Sequence, residues 1–294
     1  MQLSANGVRL EVEDHGPPDG APLVLIMGLG MQLVAWHEGF VAKLVERGFR
    51  VIRFDNRDIG LSQGFDAAGT PNLALDALRH TFGIGVQSPY SIADMADDTA
   101  ALLDALGLPS AHVCGASMGG MIAQHLAVRH PQRVRSLTLM MTTSGARHLP
   151  QPRWNVQLSM LSRPKNPRSL DSVIEHYVRL YKLIGSPAYP ADDAYLHERL
   201  GMSVRRSHRP AAVARQLVAI AADGDRSSML PRIVAPTQVI HGLADPLIPV
   251  EAGRDLARQI RGAQLELVEG MGHDLPVPLW PRFVEAIGRA AARA

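Results

Sequence analysis

The chain has one cysteine, Cys114, so no intrachain disulfide framework can hold it together. Aromatic residues make up only 5% of its 294 positions, which leaves aliphatic side chains to build the core. Charge of neither sign dominates: 30 Lys and Arg stand against 28 Asp and Glu, a formal net charge of +2. That balance offers no electrostatic case for a nucleic-acid or membrane-surface partner. No apolar run approaches the ~20 residues that a bilayer-spanning helix needs. The opening MQLSANGVRLEVEDHG lacks the basic stretch followed by an apolar one that marks a secretory leader. The expectation is a cytoplasmic, globular protein with neither nucleic-acid nor membrane partner. Its hydrophobic content of 46% is ordinary for such a protein and sufficient for a large core.

What is present is an alternation. GVRLEVEDHG reads as a half-exposed strand, and PPDGAP as a turn. LVLIMG (Leu23 to Gly28) is wholly apolar, as a strand buried on both faces should be. A helix from about Trp36 to Arg47 and a strand RVIRFD follow. Ser91 with Asp94 three residues on forms a capping box that opens a helix ending near Gly107. SAHVCG is a strand, Met118 to His130 a helix, and VRSLTLMM a strand. PTQVIHG and AQLELVEG are later strands, with a helix from about Glu251 between them and a last helix from about Pro281. This order predicts an α/β fold with a mostly parallel sheet and helices on both faces. From Gly145 to about Ser228 the pattern is helical and strandless. Residues 145–228 therefore read as a helical cap inserted into a core of 1–144 and 229–294, lying over the carboxyl edge of the sheet, where ligands bind in such folds.

Gly115-Ala116-Ser117-Met118-Gly119 fits G-x-S-x-G between a strand and a helix. A serine held at so sharp a turn needs small flanking residues, and the turn lifts its hydroxyl above the sheet. The following helix aims its free N–H groups and dipole at the same point. Ser117 is the candidate nucleophile. A serine hydroxyl needs a base. Of 12 histidines, His273 in VEGMGHDLP follows the last strand and lies at the correct edge. His241 ends a strand and reads as packing there, while His125 and His130 lie along or beyond the helix after Ser117. The base needs a carboxylate to fix its tautomer, and Asp245, in the loop HGLADPLIP, is the candidate. Asp274 adjoins His273 but is poorly placed to reach that ring. Asp223 and Asp225, at the end of the cap, read as solvated. For the oxyanion, the N–H of Met118 is one donor, and Leu29 N–H, between Gly28 and Gly30, is the other. Cys114 reads as a small core residue beside the motif.

The motifs LIMGLG, RFDNRDIGLS, GASMGG, HGLADPLIP and GMGHDLP occur in this order. In this the chain resembles the serine-nucleophile α/β-hydrolases, and is most similar to bacterial carboxylesterases of the aclacinomycin methylesterase-like group. The order Ser117, Asp245, His273 is the order of that fold. Many relatives carry a histidine where this chain has Met27, which removes one polar anchor of the oxyanion loop. The resemblance also implies that DNRDIGLS (Asp55 to Ser62) is a structural turn, with Asp55 and Arg57 as a buried ion pair.

The chemistry these residues support is hydrolysis of a small-molecule carboxylic ester through an acyl-enzyme, with no cofactor and no metal. The same triad would serve an acyltransferase, a perhydrolase or a C–C bond hydrolase. A non-catalytic binding protein on the same fold is the alternative of another class. The apolar cap residues Trp154, Met160, Tyr177, Tyr181 and Met202 are candidates for the substrate pocket. Residues 145–232 hold fourteen Lys or Arg and seven Asp or Glu, so they carry +7 while the remainder carries about −5. Two readings are open: solvated helix faces, or a positive field over the cleft that favours anionic esters.

Overall fold

The structure, a computed structural model, describes residues 1–81 and 84–294. Its sheet comprises β1 (Gln2–Ala5), β2 (Val8–His15), β3 (Ala21–Ile26), β4 (Phe49–Phe54), β5 (Ala111–Ala116), β6 (Val134–Met140), β7 (Thr237–Gly242) and β8 (Gln264–Val268). The helices are α1 (Glu38–Glu46), α2 (Leu73–Thr81), α3 (Ile92–Ala105), α4 (Met118–Arg129), α5 (Trp154–Met160), α6 (Leu170–Ile184), α7 (Asp193–Arg206), α8 (Pro210–Asp223), α9 (Glu251–Gln259) and α10 (Trp280–Ala291). The strand order is β1-β2-β4-β3-β5-β6-β7-β8. β2 is antiparallel to both β1 and β4, and every later pairing is parallel.

The unbroken apolar run of β3 divides by strand period between two cores. Leu23 and Leu25 pack with Phe40 and Leu44 of α1 and with Phe283 and Ile287 of α10. Val24 and Ile26 pack on the other face with Met95 and Leu102 of α3 and with Ile122 and Leu126 of α4. Cys114 belongs to the first of these cores and is fully buried. At the antiparallel end, β2 buries Val8, Leu10 and Val12 in alternation. It is joined to β1 through Asn6 and Gly7, both at positive φ (49° and 75°), as a two-residue hairpin requires. The capping box at α3 forms as expected: Ser91 Oγ accepts from Asp94 N–H at 3.0 Å, and the Asp94 carboxylate accepts from Ser91 N–H at 2.8 Å. β1 and α2 have no counterpart in the sequence reading.

Between β6 and β7 the chain forms α5 to α8 and, among the described residues, no strand. α6 and α7 pack together through Val173, Ile174 and Val178 against Leu196, Leu200 and Val204, a small core of their own. This insertion is fastened to the turn after β4. Arg206 of α7 pairs with Asp55 at 2.7 Å, and Ser207 Oγ donates to the Gly60 carbonyl at 2.8 Å. Arg215 of α8 donates twice to Asp58, at 2.6 and 2.7 Å.

The expected Asp55–Arg57 pair is not formed. Asp55 faces the insertion, where its two oxygens also accept from Leu33 N–H and Leu61 N–H at 2.7 and 2.8 Å. Arg57 faces α3, where it pairs with Asp98 and lies 5.4 Å from the Phe65 ring and 5.6 Å from that of Tyr90. The same docking bears on the charge asymmetry. Arg206 and Arg215, with Arg199 on Glu38 at 3.2 Å, are docked onto core carboxylates. Part of the positive charge of 145–232 is thus neutralised at the interface with the core, rather than solvated or directed over the cleft.

Candidate active site

β5 ends at Ala116 and α4 begins at Met118, so Ser117 occupies the turn alone. Its backbone is at φ 54°, ψ −121°, a strained conformation for a residue with a side chain. A Cβ on Gly115 would overlap the Gly119 carbonyl, and one on Gly119 would overlap the Ile26 carbonyl of β3. Glycine at both positions is what lets the turn close.

His273 reaches Ser117 from the loop after β8, with Nε2 3.1 Å from Oγ. Its Nδ1 is 2.7 Å from Asp245 Oδ2 in the loop after β7. A carboxylate can only accept, so Nδ1 carries the proton and Nε2 is left as the acceptor facing the serine hydroxyl. Asp245 is itself fixed: its Oδ1 accepts from Leu247 N–H and Ile248 N–H, each at 2.9 Å. The Asp245 carboxylate is fully buried, and His273 is 8% exposed.

The neighbours take the places that remain. His241 is buried behind Asp245, with Nε2 2.8 Å from the Ile248 carbonyl and 3.7 Å from the carboxylate. Burial pushes its pKa down, which keeps it neutral beside the acid. Asp274 bonds Ser186 rather than the His273 ring. Asp225 is exposed, but Asp223 is not solvated: it bonds His125 at 2.7 Å and pairs with Arg226, because the end of α8 packs against α4. Arg226 is only three residues from Asp223, but His125 lies about 100 residues away, and the local sequence carried no sign of it.

Leu29 N–H and Met118 N–H have no acceptor among the described residues. Met118 is the first residue of α4, where a helix leaves its N–H groups free. The loop bearing Leu29 is held on both sides. Asn56 Nδ2 donates to the Met27 carbonyl at 2.9 Å, and Gly30 N–H donates to Gln216 Oε1 of α8 at 2.9 Å. Asn56 and Gln216 thus anchor a loop that lacks a histidine at Met27. Asn56 lies within the DNRDIGLS turn, but nothing in that turn named its partner, and Gln216 is about 190 residues from the loop it holds.

Above Ser117 and His273 lies a cavity of about 1870 Å³ between the sheet edge and the insertion. Leu29, Met160, Tyr177 and Tyr181 line it, whereas Trp154 and Met202 do not. In α7 the lining residues are Tyr195, Leu196, Arg199, Leu200 and Ser203, and Met202, at the edge of that helical face, is not among them. In α5 the buried residue is Val156, and Trp154 points outward at 75% exposure. No group of three metal-ligating side chains occurs among the described residues, and no helix there is long and apolar enough to cross a membrane.

Residues 21–277 match the family model described as alpha/beta hydrolase fold. The chain is 28% identical to rhodomycin D methylesterase DnrP of Streptomyces peucetius, across 97% of this chain and 95% of that protein. It is 31% identical to the putative carbamate hydrolase RutD of Variovorax paradoxus, across 90% of this chain and 89% of that protein. Among solved structures it resembles the enol-lactonase from Burkholderia xenovorans LB400, with a TM-score of 0.75 and 22% identity, covering 99% of this chain and 100% of that one. At that identity the likeness speaks for the fold alone.

Proposed function

The chain belongs to the alpha/beta hydrolase fold family, and on that premise we propose that it hydrolyses carboxylic esters through Ser117, His273 and Asp245. The observation that carries this reading is the continuous relay from Ser117 Oγ to His273 at 3.1 Å and from His273 to Asp245 at 2.7 Å. Ser117 attacks the ester carbonyl while His273 Nε2 takes the hydroxyl proton. Asp245 holds the tautomer and stabilises the imidazolium that forms. The negative charge developing on the carbonyl oxygen is held by Leu29 N–H and Met118 N–H, which need no reorganisation to receive it. His273 then protonates the departing alcohol, and the acyl group stays on Ser117. In the second half His273 activates a water, which releases the acid and restores the serine.

The insertion, taken as residues 145–228, chooses the substrate. A cavity of about 1870 Å³ exceeds the 300–1,000 Å³ usual for drug-sized ligands, so it suits a bulky apolar ester. The test is turnover of methyl and p-nitrophenyl esters of graded acyl length, with water, methanol and hydrogen peroxide offered as competing acceptors. Release of free acid as the main product supports the reading. Preferential formation of methyl ester or peracid would replace it with acyl transfer or perhydrolysis.

A further inference from the structure

The loop that carries His273 is fastened from two sides, and one of them is the helical insertion. On the core side Ala244 N–H donates to the Met271 carbonyl at 3.0 Å. On the other, His273 N–H donates to the carbonyl of Ile184 at 2.7 Å. Ile184 is the last residue of α6, and its carbonyl is among those a helix leaves without an internal partner. Ala188 N–H donates to the Gly270 carbonyl at 3.2 Å. A side chain at Gly272 would overlap the Gly185 carbonyl, so the two backbones are in direct contact.

The Ser186 hydroxyl is the hub of this contact. Gly272 N–H donates to Ser186 Oγ at 2.8 Å, which leaves the hydroxyl proton to be donated onward. It goes to Asp274 Oδ1. Ser186 is 3% exposed, so water does not compete for these bonds. Burial pushes the Asp274 carboxyl up, and bonds from Ser186 act against that shift. Gly272 and Asp274 are the two chain neighbours of His273. One hydroxyl of the insertion therefore holds both sides of the histidine.

We propose that Ser186 and Asp274 are positioning residues for His273, so that the segment 184–188 of the insertion holds the imidazole at Ser117. This role rests on the reading of His273 as the base. It also couples the base to the cavity, because α6 lines that cavity through Tyr177 and Tyr181.

The test uses full-length Ser186→Ala and Asp274→Ala, each removing one end of the bond. Ester turnover and the rate of inactivation by a fluorophosphonate are measured together. Misplacement by ~1 Å can cost about 100-fold in rate. The expected result is a fall in kcat of about 10- to 100-fold, with KM within about twofold and an equal fall in the inactivation rate. The double variant should be little worse than the weaker single, because the two residues act as one unit. Ser136→Ala is the control: it removes a buried hydroxyl bonded to His112 at 2.8 Å and should leave kcat unchanged. If Ser186→Ala does not fold, Asp274→Ala carries the test. Both variants keeping parental kcat and labelling at the parental rate, while the parent labels at Ser117, would overturn the positioning role and leave ester hydrolysis standing. A parent that does not label at Ser117 removes both.

Discussion

Arg215→Ala should loosen the insertion without touching the triad. The Arg215 and Asp58 side chains are 1% and 0% exposed, joined by bonds of 2.6 and 2.7 Å. Truncation leaves a buried carboxylate with only Tyr90 OH at 2.8 Å and Phe65 N–H at 3.0 Å. Breaking such a pair by removing one partner costs about 3–5 kcal/mol. At about 2.1 cal/mol/K per residue, a chain of 294 residues has an unfolding entropy near 0.6 kcal/mol/K. The fall in Tm is then about 5–8 °C. Arg215→Met with Asp58→Asn should recover most of it, because the charge is removed from both sides. Asn also tolerates the positive φ of 75° at this position. Burial acts to raise the Asp58 pKa, but the Arg215, Phe65 and Tyr90 bonds outweigh it and hold the pKa below its ordinary value. Its stabilising contribution is therefore complete above the unfolded value near 4 and is lost as pH falls through the folded one. Calorimetric melting at neutral pH and below about pH 4 measures all of this, and the gap between parent and Arg215→Ala should narrow at the lower pH. A Tm within about 1 °C of the parent at neutral pH, or a double variant as unstable as the single, refutes the reasoning.

Asp245→Asn should fold normally and lose about 10⁴ in kcat through the wrong histidine tautomer, measurable by steady-state esterase kinetics; equal loss in Asp225→Asn would point to a different acid. Burial pushes His112 down to about 4, so between about 6.5 and 4 the unfolded chain binds a proton that the folded one refuses. Stability should therefore fall as the pH is lowered across that window, and His112→Gln should flatten the melting-temperature profile there. Burial also pushes the Cys114 thiol up, so iodoacetamide should leave the activity of the folded enzyme unchanged while alkylating the chain in denaturant.

The parts legible in the sequence were those written in neighbouring residues. The glycines around Ser117, the strand ends before Asp245 and His273, and the Ser91–Asp94 cap each state their geometry within a few positions. The two-sided burial of β3 could be read from its unbroken apolar run. β1, with four residues, is too short to display a period. α2 does carry a start signal, Asn72, whose Oδ1 accepts from Leu75 N–H at 3.2 Å, but it stands at the end of a Gly- and Pro-containing loop and reads as part of it. Long-range polar partners were illegible for another reason: Arg206 on Asp55, Gln216 on Gly30 and Ser186 on Gly272 join residues whose meeting depends on where the insertion docks. The pocket residues show the same limit. Apolar character alone did not separate Tyr177 from Trp154, because the answer lay in which side chain turns to the cavity and which to solvent.

The central claim is that Ser117 carries the acyl group, and trapping that species tests it most directly. The protein is quenched in acid during turnover of a p-nitrophenyl ester, or labelled with a fluorophosphonate, and its intact and peptide masses are measured. The account predicts one added acyl or phosphonyl group per chain, located on Ser117, and none on Ser117→Ala, whose kcat should be lower by about 10⁶. A group mapped to another residue, or Ser117→Ala turning over ester at a tenth of the parental rate, would contradict it.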